Sequence, residues 1–277
     1  MCRIKTFTAV TVTLLLLLAI SPHSLAHYLY FGAKPIVFGI APQGEIHNIH
    51  AKWQPLIQSV SKHSRLAIRF ETAASMEEFE KHLKKGHYDI VYVNAYQYIK
   101  YNVEVGYNAF AKPKHRKTTG VIVVHKDSTL TSLQELKSQS LALPEAHSFG
   151  GSILTRHQLS QEGIEVNPEY MDSDRSSFRA VAAGDLPAGA GELQQLNNIN
   201  PISHEKLRVL WRSKQYSSNV IAAHPRISKD ALVRIHEALL SLNNSYEGMQ
   251  YLSNARLKGI DSAEDSEWDD VRALALD

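Results

Sequence analysis

The chain has 277 residues, of which 44% are hydrophobic, and is long enough to bury a core as one large domain or two lobes. Two of its 30 basic residues lie among the first five, and without them 28 basic residues face 28 acidic ones, which argues against nucleic acid as a partner. The single cysteine is Cys2, so the rest of the chain excludes a disulfide, a thiolate metal site and a cysteine nucleophile.

The first 26 residues have the layout of a secretory signal peptide. Arg3 and Lys5 form a basic start, residues 7–20 are apolar, and small residues lead to Ala26. The apolar stretch is short for a bilayer span. The sequence therefore predicts export with cleavage after Ala26, and retention of the segment as an anchor is the alternative.

Strands and helices alternate through the first half of the chain. Runs of β-branched and aromatic residues predict strands at 35–41, 66–72, 89–93, 107–112 and 120–125. Apolar residues at helical spacing predict helices at 48–64, 76–85 and 94–103, with a short one at 130–137. Ser75 and Glu78 form a capping box at the start of the second helix.

A strand, a glycine loop and a helix are predicted within residues 141–163. The strand ends at Pro144, and Ser148 precedes Phe149, Gly150 and Gly151. Glycines allow a ligand to approach the backbone, and a helix start offers unpaired N–H groups with about half a positive charge. Two interpretations fit these residues: an oxyanion pocket, and an ordinary turn between a strand and a helix.

The second half continues the alternation. Strands are predicted at 169–171, 188–191, 207–211 and 219–223. Helices are predicted at 176–183, 192–197, 229–242, 246–253 and 268–276. This order predicts an α/β fold with two lobes, each a mostly parallel sheet flanked by helices, and two crossover strands between them. Lobe 1 is expected to comprise residues 27–118 and 219–277, and lobe 2 residues 119–218, with crossings near 117–119 and 214–218. Loops at the carboxyl ends of the strands would face one cleft.

Several segments together resemble the periplasmic solute-binding proteins of phosphonate, phosphite and phosphate ABC transporters. The resemblance extends from Val37 to Ser228, and its members are type II periplasmic binding proteins. It is carried by the order and spacing of VFGIAPQ, MEEFEKHLKKGHYDIVYVNAYQY, GVIVVHKDSTLTSLQELK, HSFGG, SFRAVAAGDLPAGAGELQQL and LRVLWRSKQYSSNVIAAHPRIS.

The resemblance implies a ligand site between the lobes. The ligand-binding positions that it implies are Ser148, Phe149, Gly150, Gly151, Gln43, Tyr92, Asn94, Asp174 and Asn219. Family members that bind aminoalkyl phosphonates have a tyrosine where this chain has Met76, a histidine at Asp174, acidic residues near Glu192 and at Asn219, and commonly an aspartate at Pro187; the match at Glu192 is offset by one residue. These departures disfavour an amine-bearing phosphonate and leave two alternatives, another small oxyanion or a ligand outside the family precedent.

The resemblance implies a non-catalytic receptor in the periplasm that delivers a phosphonate, phosphite or phosphate-class ligand to the permease of an ABC importer. It is expected to be a monomer without a cofactor. One alternative is a sensory module that signals to a membrane kinase or cyclase. Another is a metal-binding protein or enzyme that uses His47 and His50, which lie three residues apart after the first strand.

Overall fold

The computed structural model describes residues 34–42 and 46–276, apart from the side chains of residues 46 and 47. The predicted signal peptide and Gln43 lie outside the described residues. Within them, no helix combines the length and apolar character needed to span a membrane.

The described residues alternate between strands and helices, as the sequence predicts. The strands are β1 (Ile36–Ile40), β2 (Ile68–Glu71), β3 (Ile90–Val93), β4 (Asn108–Pro113), β5 (Lys117–Thr118), β6 (Gly120–His125), β7 (Ser140–Leu143), β8 (Asn167–Tyr170), β9 (Ala188–Glu192), β10 (Leu207–Arg212), β11 (Tyr216–Ser217), β12 (Val220–Ala223) and β13 (Ile260–Ser262). The α-helices are α1 (Ile46–Ser64), α2 (Met76–Lys84), α3 (Ala95–Val105), α4 (Leu154–Gln161), α5 (Asp174–Ala183), α6 (Leu193–Leu196), α7 (Pro201–His204), α8 (Lys229–Ser241), α9 (Tyr246–Asn254) and α10 (Asp269–Arg272). Short 3₁₀ segments cover Leu133–Leu136, Leu242–Asn244 and Asp265–Trp268.

Lobe 1 is the six-stranded sheet with the helices on its two faces. Its strand order is β13-β4-β12-β3-β1-β2. One face packs against α1, α8 and α9 through residues such as Trp53 and Leu239. The other face packs against α2 and α3 through residues such as Phe79 and Tyr98. Burial of the sheet on both faces explains the nearly continuous apolar sequences of β1 and β3.

Lobe 2 is the five-stranded sheet, in the order β10-β6-β9-β7-β8, with its own flanking helices. Leu136 and Leu159 contribute to the core on one face, and Phe178 and Leu196 on the other. Both β7 and β9 run in parallel and end at the same edge of this sheet. The glycine loop follows β7 at that edge.

Two short antiparallel strands connect the lobes. β5 leads from lobe 1 into lobe 2, and β11 leads back, with Tyr216 opposite Thr118. The predicted pair of crossover strands is therefore confirmed. The sheets separate at residue numbers close to the predicted lobe boundaries, and the boundaries themselves stay a prediction.

The predicted two-lobed α/β class is confirmed, with the difference that both sheets are mixed rather than mostly parallel. In lobe 1, β1 pairs in parallel with β2 and β3, whereas β12 and β13 join by antiparallel pairing. In lobe 2, β6 pairs antiparallel with both of its neighbours. The reason is topological: β6 and β12, the first long strands after the crossovers, run against the parallel set of their lobe.

Candidate functional site

The glycine loop of lobe 2 begins a helix with an unusually wide first turn. Ser148 is extended, and a π-helical turn over Phe149–Ile153 continues directly into α4. The carbonyl oxygen of Ser148 accepts hydrogen bonds from the N–H groups of Ser152, at 2.9 Å, and Ile153, at 3.0 Å. Among the described residues, no acceptor lies on the N–H groups of Phe149, Gly150 and Gly151. Three successive donors therefore remain at the positive end of a helix.

Close packing requires both glycines of this loop. A Cβ atom on Gly151 would lie 2.3 Å from Cγ of Pro144. A Cβ atom on Gly150 would lie 3.0 Å from Cγ2 of Thr118 and 3.2 Å from Cβ of Glu192. The loop is consequently fixed between the end of β7, the first crossover and the end of β9 rather than placed on an outer surface.

A buried pair of opposite charges lies beside the loop. Arg116, between β4 and β5, places Nη2 3.9 Å from Oε2 of Glu192, the last residue of β9. Both side chains are largely buried, being 17% and 15% exposed. Nε of Arg116 and Oε1 of Glu192 are buried without a hydrogen-bond partner among the described residues. Such atoms cost about 1–3 kcal/mol each when left unsatisfied, so a polar group that reached them would be favoured.

Tyr92, from β3 of lobe 1, interacts electrostatically with this pair. Burial raises the pKa of the Tyr92 hydroxyl, and the charge of Arg116 lowers it while that of Glu192 raises it. The Tyr92 ring also packs against Trp53, with ring centroids 4.7 Å apart. Tyr92 therefore belongs both to the core of lobe 1 and to the charged surroundings of Arg116 and Glu192.

The surroundings of Glu192 favour the uncharged form of its carboxyl. Burial raises its pKa to about 7, against the lowering effect of Arg116 and with a further increase from Asp174. Asp174 itself accepts a hydrogen bond from the Glu192 N–H, 2.7 Å from Oδ1. Burial raises the pKa of Asp174 as well, opposed by backbone hydrogen bonds. Asp174 thus positions the end of β9, and Glu192 offers a carboxyl that changes its charge near neutral pH.

A second polar cluster joins the two lobes next to the loop. Nδ2 of Asn94, at the end of β3, donates to the carbonyl oxygen of His147, 3.0 Å away. Nδ1 of His147 lies 2.8 Å from Oε1 of the buried Glu80 on α2. Gln97 donates to the same oxygen at 3.1 Å. These contacts hold the segment before Ser148 against lobe 1.

The predicted site residues are distributed unequally around this point. Ser148, Gly150 and Gly151 lie at the loop, and Asp174 and Tyr92 lie beside the Arg116–Glu192 pair. The amide of Asn94 is used within the protein, because its oxygen also caps α3. Asn219 lies at the second crossover, and its Oδ1 accepts from the Ser218 hydroxyl at 3.2 Å. That these residues bind a ligand stays a prediction.

Sequence reasoning missed Arg116 altogether. It lies within a run of four basic residues, 114–117, that the sequence marks only as a basic turn. In the structure Arg116 turns inward while His115 and Lys117 are exposed. Arg175 and Arg179, the arginines that follow Asp174, are also exposed. The alternative based on His47 and His50 gains nothing: His50 is exposed and its ring packs against Phe70, with centroids 5.3 Å apart.

A family model described as "ABC transporter, phosphonate, periplasmic substrate-binding protein" matches residues 38–268. A search of curated proteins gave no match. Many solved structures share the fold. A binding-protein component of an ABC phosphonate transporter from Pseudomonas aeruginosa superposes with a TM-score of 0.74 at 14% identity, covering 88% of this chain and 86% of that chain.

Two further structures are similar over nearly their whole length. PhnD1 from Prochlorococcus marinus, in complex with methylphosphonate, has a TM-score of 0.75 and 16% identity, covering 87% of this chain and 97% of its own. A protein from Xanthomonas citri bound to chloride ion has a TM-score of 0.76 and 17% identity, covering 88% and 96%. At these identities the similarity shows the fold, a two-lobed α/β architecture.

Proposed function

The chain belongs to the family of periplasmic substrate-binding proteins of phosphonate ABC transporters, and we propose that it binds a small phosphonate-class oxyanion between its two lobes and delivers it to the permease of an ABC importer. Members of this family are receptors and not enzymes, and no comparison supports the sensory or metal-enzyme alternatives. Export into the periplasm through a cleaved signal peptide, and a monomeric state, are parts of the same proposal.

One observation carries the proposal: the glycine loop and the buried Arg116 both lie next to Glu192. The N–H groups of Phe149, Gly150 and Gly151 offer three donors, and Nε of Arg116 is a buried donor without a partner in the described part of the chain. An oxyanion accepts from all four, and the start of the helix favours its charge. The Ser148 hydroxyl is partly exposed at the same turn and can add a fifth donor.

Glu192 gives the site a requirement that a bare anion does not meet. Its unpartnered Oε1 needs a hydrogen-bond donor from the ligand when the carboxyl is ionised. A hydrogen phosphonate or hydrogen phosphate carries a proton on one oxygen near neutral pH, whereas sulfate carries none. We therefore expect a preference of about 10–100-fold for a protonated oxyanion over sulfate, since an unsatisfied buried group costs about 1–3 kcal/mol.

Isothermal titration tests both the binding of an oxyanion and the preference for a protonated one. The mature protein is titrated with methylphosphonate, phosphite, phosphate and sulfate at pH 6 and pH 8. The proposal predicts binding of at least one of the first three, with sulfate becoming weaker at the higher pH as Glu192 ionises. Glu192→Gln should reduce the preference for a protonated oxyanion over sulfate by about tenfold or more. The control Glu169→Gln, on the exposed strand β8, should leave that preference unchanged. Absence of heat with every anion would refute the oxyanion function.

Mature length and location are tested separately. Mass spectrometry of protein released from the periplasm should give a chain that begins at His27. A mass corresponding to an intact first segment, with the protein in the membrane fraction, would contradict the cleavage and support the anchor.

A further inference from the structure

Two histidines and a glutamate meet on lobe 1 without any part in the site described above. Glu71, His82 and His87 each offer one ligand atom, and these atoms lie within 4.8 Å of one another. Nε2 of His87 lies 2.6 Å from Oε1 of Glu71. The rings of His82 and His87 lie side by side, with centroids 4.8 Å apart. All three residues are partly accessible, so an ion could reach them from solvent.

The backbone at the end of α2 places the two imidazoles together. Gly86 has a left-handed φ of 61°. Its N–H donates to the carbonyl of Leu83 at 2.8 Å, and the N–H of His87 donates to the carbonyl of His82 at 3.0 Å. This pair of bonds is a Schellman motif, which brings together the side chains on either side of it, commonly in an apolar contact. Here both of those side chains are histidines, and the end of β2 adds Glu71 beside them.

The hydroxyl of Tyr88 orients His82 in the way that metal-binding histidines are oriented. Nδ1 of His82 lies 3.2 Å from the hydroxyl of Tyr88, and the Tyr88 ring is fixed by stacking on Phe79 with centroids 4.8 Å apart. A histidine that donates from one ring nitrogen to such a partner presents the lone pair of the other nitrogen to a metal.

Glu71 provides the anionic ligand of the cluster, and the guanidinium of Arg69 offsets part of its charge. Glu71 supplies one negative charge, and Nη1 of Arg69 lies 2.8 Å from its second oxygen, Oε2, which leaves Oε1 toward His87. An ion pair between Glu71 and His87 uses only one imidazole, and the Schellman motif holds the ring of His82 beside it, tilted by 38°. Two imidazole nitrogens and one carboxylate oxygen form a donor set that Zn²⁺ uses, with water as a fourth ligand.

We propose that Glu71, His82 and His87 form a binding site for a divalent transition metal ion, with Zn²⁺ as the expected ion. The ion would join the end of β2, the end of α2 and the segment that leads into β3. Its effect would be to stabilise lobe 1, and it is independent of the oxyanion proposal because the site shares no residue with the glycine loop, Arg116 or Glu192.

A difference titration tests this site, because the chain contains 14 histidines and others can bind metal weakly. Chelator-treated mature protein is titrated with Zn²⁺ and, in parallel, with Co²⁺ followed by its visible absorption. The wild type should bind one equivalent of metal ion. His82→Ala and His87→Ala should either fail to bind it or bind it at least about tenfold more weakly. His63→Ala, an exposed histidine on α1, is the matched control and should behave as wild type.

Glu71→Gln provides a variant that keeps a hydrogen-bonding side chain at the site and so protects the test against misfolding. It should also lower the affinity for this metal ion and change the Co²⁺ spectrum. Zn²⁺ should raise the melting temperature of the wild type and not that of His87→Ala. Equal stoichiometry and affinity in the wild type, His82→Ala and His87→Ala would overturn the proposal, as would the absence of a stoichiometric equivalent in the wild type. Methylphosphonate titrations of the same variants separate this outcome from a failure of the oxyanion proposal.

Discussion

Replacement of Arg116 by glutamine is the most informative single change to the proposed oxyanion site. It removes the positive charge whose Nη2 lies 3.9 Å from Glu192 and whose Nε is buried without a partner. A hydrogen bond to a charged group contributes about 1.5–3 kcal/mol, and two unit charges at 4 Å interact by about 4 kcal/mol at an effective dielectric constant of 20. We therefore expect Arg116→Gln to lose about 1.5–4 kcal/mol of ligand binding, or roughly 10- to 1000-fold in Kd.

The assay is isothermal titration with methylphosphonate at pH 7.5, with circular dichroism to confirm folding. Arg179→Gln is the control, since Arg179 is an exposed arginine on α5 of the same lobe. The double variant Arg116→Gln/Glu192→Gln should lose less than the sum of the single variants, because the two groups interact. An Arg116→Gln protein that binds as tightly as Arg179→Gln would refute the assignment of Arg116 to the ligand.

Three further predictions concern the loop, the carboxyl pair and the contact between the lobes. Gly151→Ala should weaken ligand binding and lower the melting temperature, because its Cβ would lie 2.3 Å from Pro144. The stability of the wild type should fall as pH rises from about 4.5 to 7, because the folded pKa of Glu192 is raised, and Glu192→Gln should flatten this slope. Glu80→Ala should destabilise the protein by about 1–3 kcal/mol, since it leaves the buried Gln97 without this acceptor and removes the partner of the partly exposed His147.

Each of these has a matched measurement. Denaturant titration at several pH values gives the slope for the wild type and Glu192→Gln, and identical slopes would contradict the raised pKa. Thermal melts and methylphosphonate titrations of Gly151→Ala should both change, and unaltered values would mean that Pro144 can move aside. For Glu80→Ala, Glu77→Ala serves as the control because Glu77 is exposed on the same helix; equal stability of the two variants would contradict a structural role for Glu80.

The sequence was sufficient to predict most of the elements and the connection between the lobes. Continuous apolar runs identify strands such as β6, which begins and ends where predicted, at Gly120 and His125. The glycine loop was predictable because a strand, a proline and paired glycines leave few alternatives to a tight turn into a helix. What the pattern could not give is strand direction: an apolar run has the same sequence signature in a parallel and an antiparallel position, which is why the mixed sheets were not foreseen.

The charged part of the site could not be predicted from local sequence. Arg116 turns inward just before the crossover strand β5. There it meets Glu192, a residue far along the chain. Glu192 lies beside it only because β9 pairs with β6 across lobe 2. The proximity of His82 and His87 was equally hard to predict. Residues five positions apart do not share a face of a continuous helix, and these two meet only because the helix ends before Gly86.

The central claim, that the free amides of the glycine loop bind the oxyanion, is tested most directly by nuclear magnetic resonance of protein labelled with ¹⁵N at glycine. The chain has 14 glycines, so assignment by comparison with single variants is practical. Addition of methylphosphonate should shift the amide proton resonances of Gly150 and Gly151 downfield, as new hydrogen bonds to an anion do, and leave that of Gly163, at the other end of α4, in place. Saturating binding without a change at Gly150 and Gly151 would contradict the account.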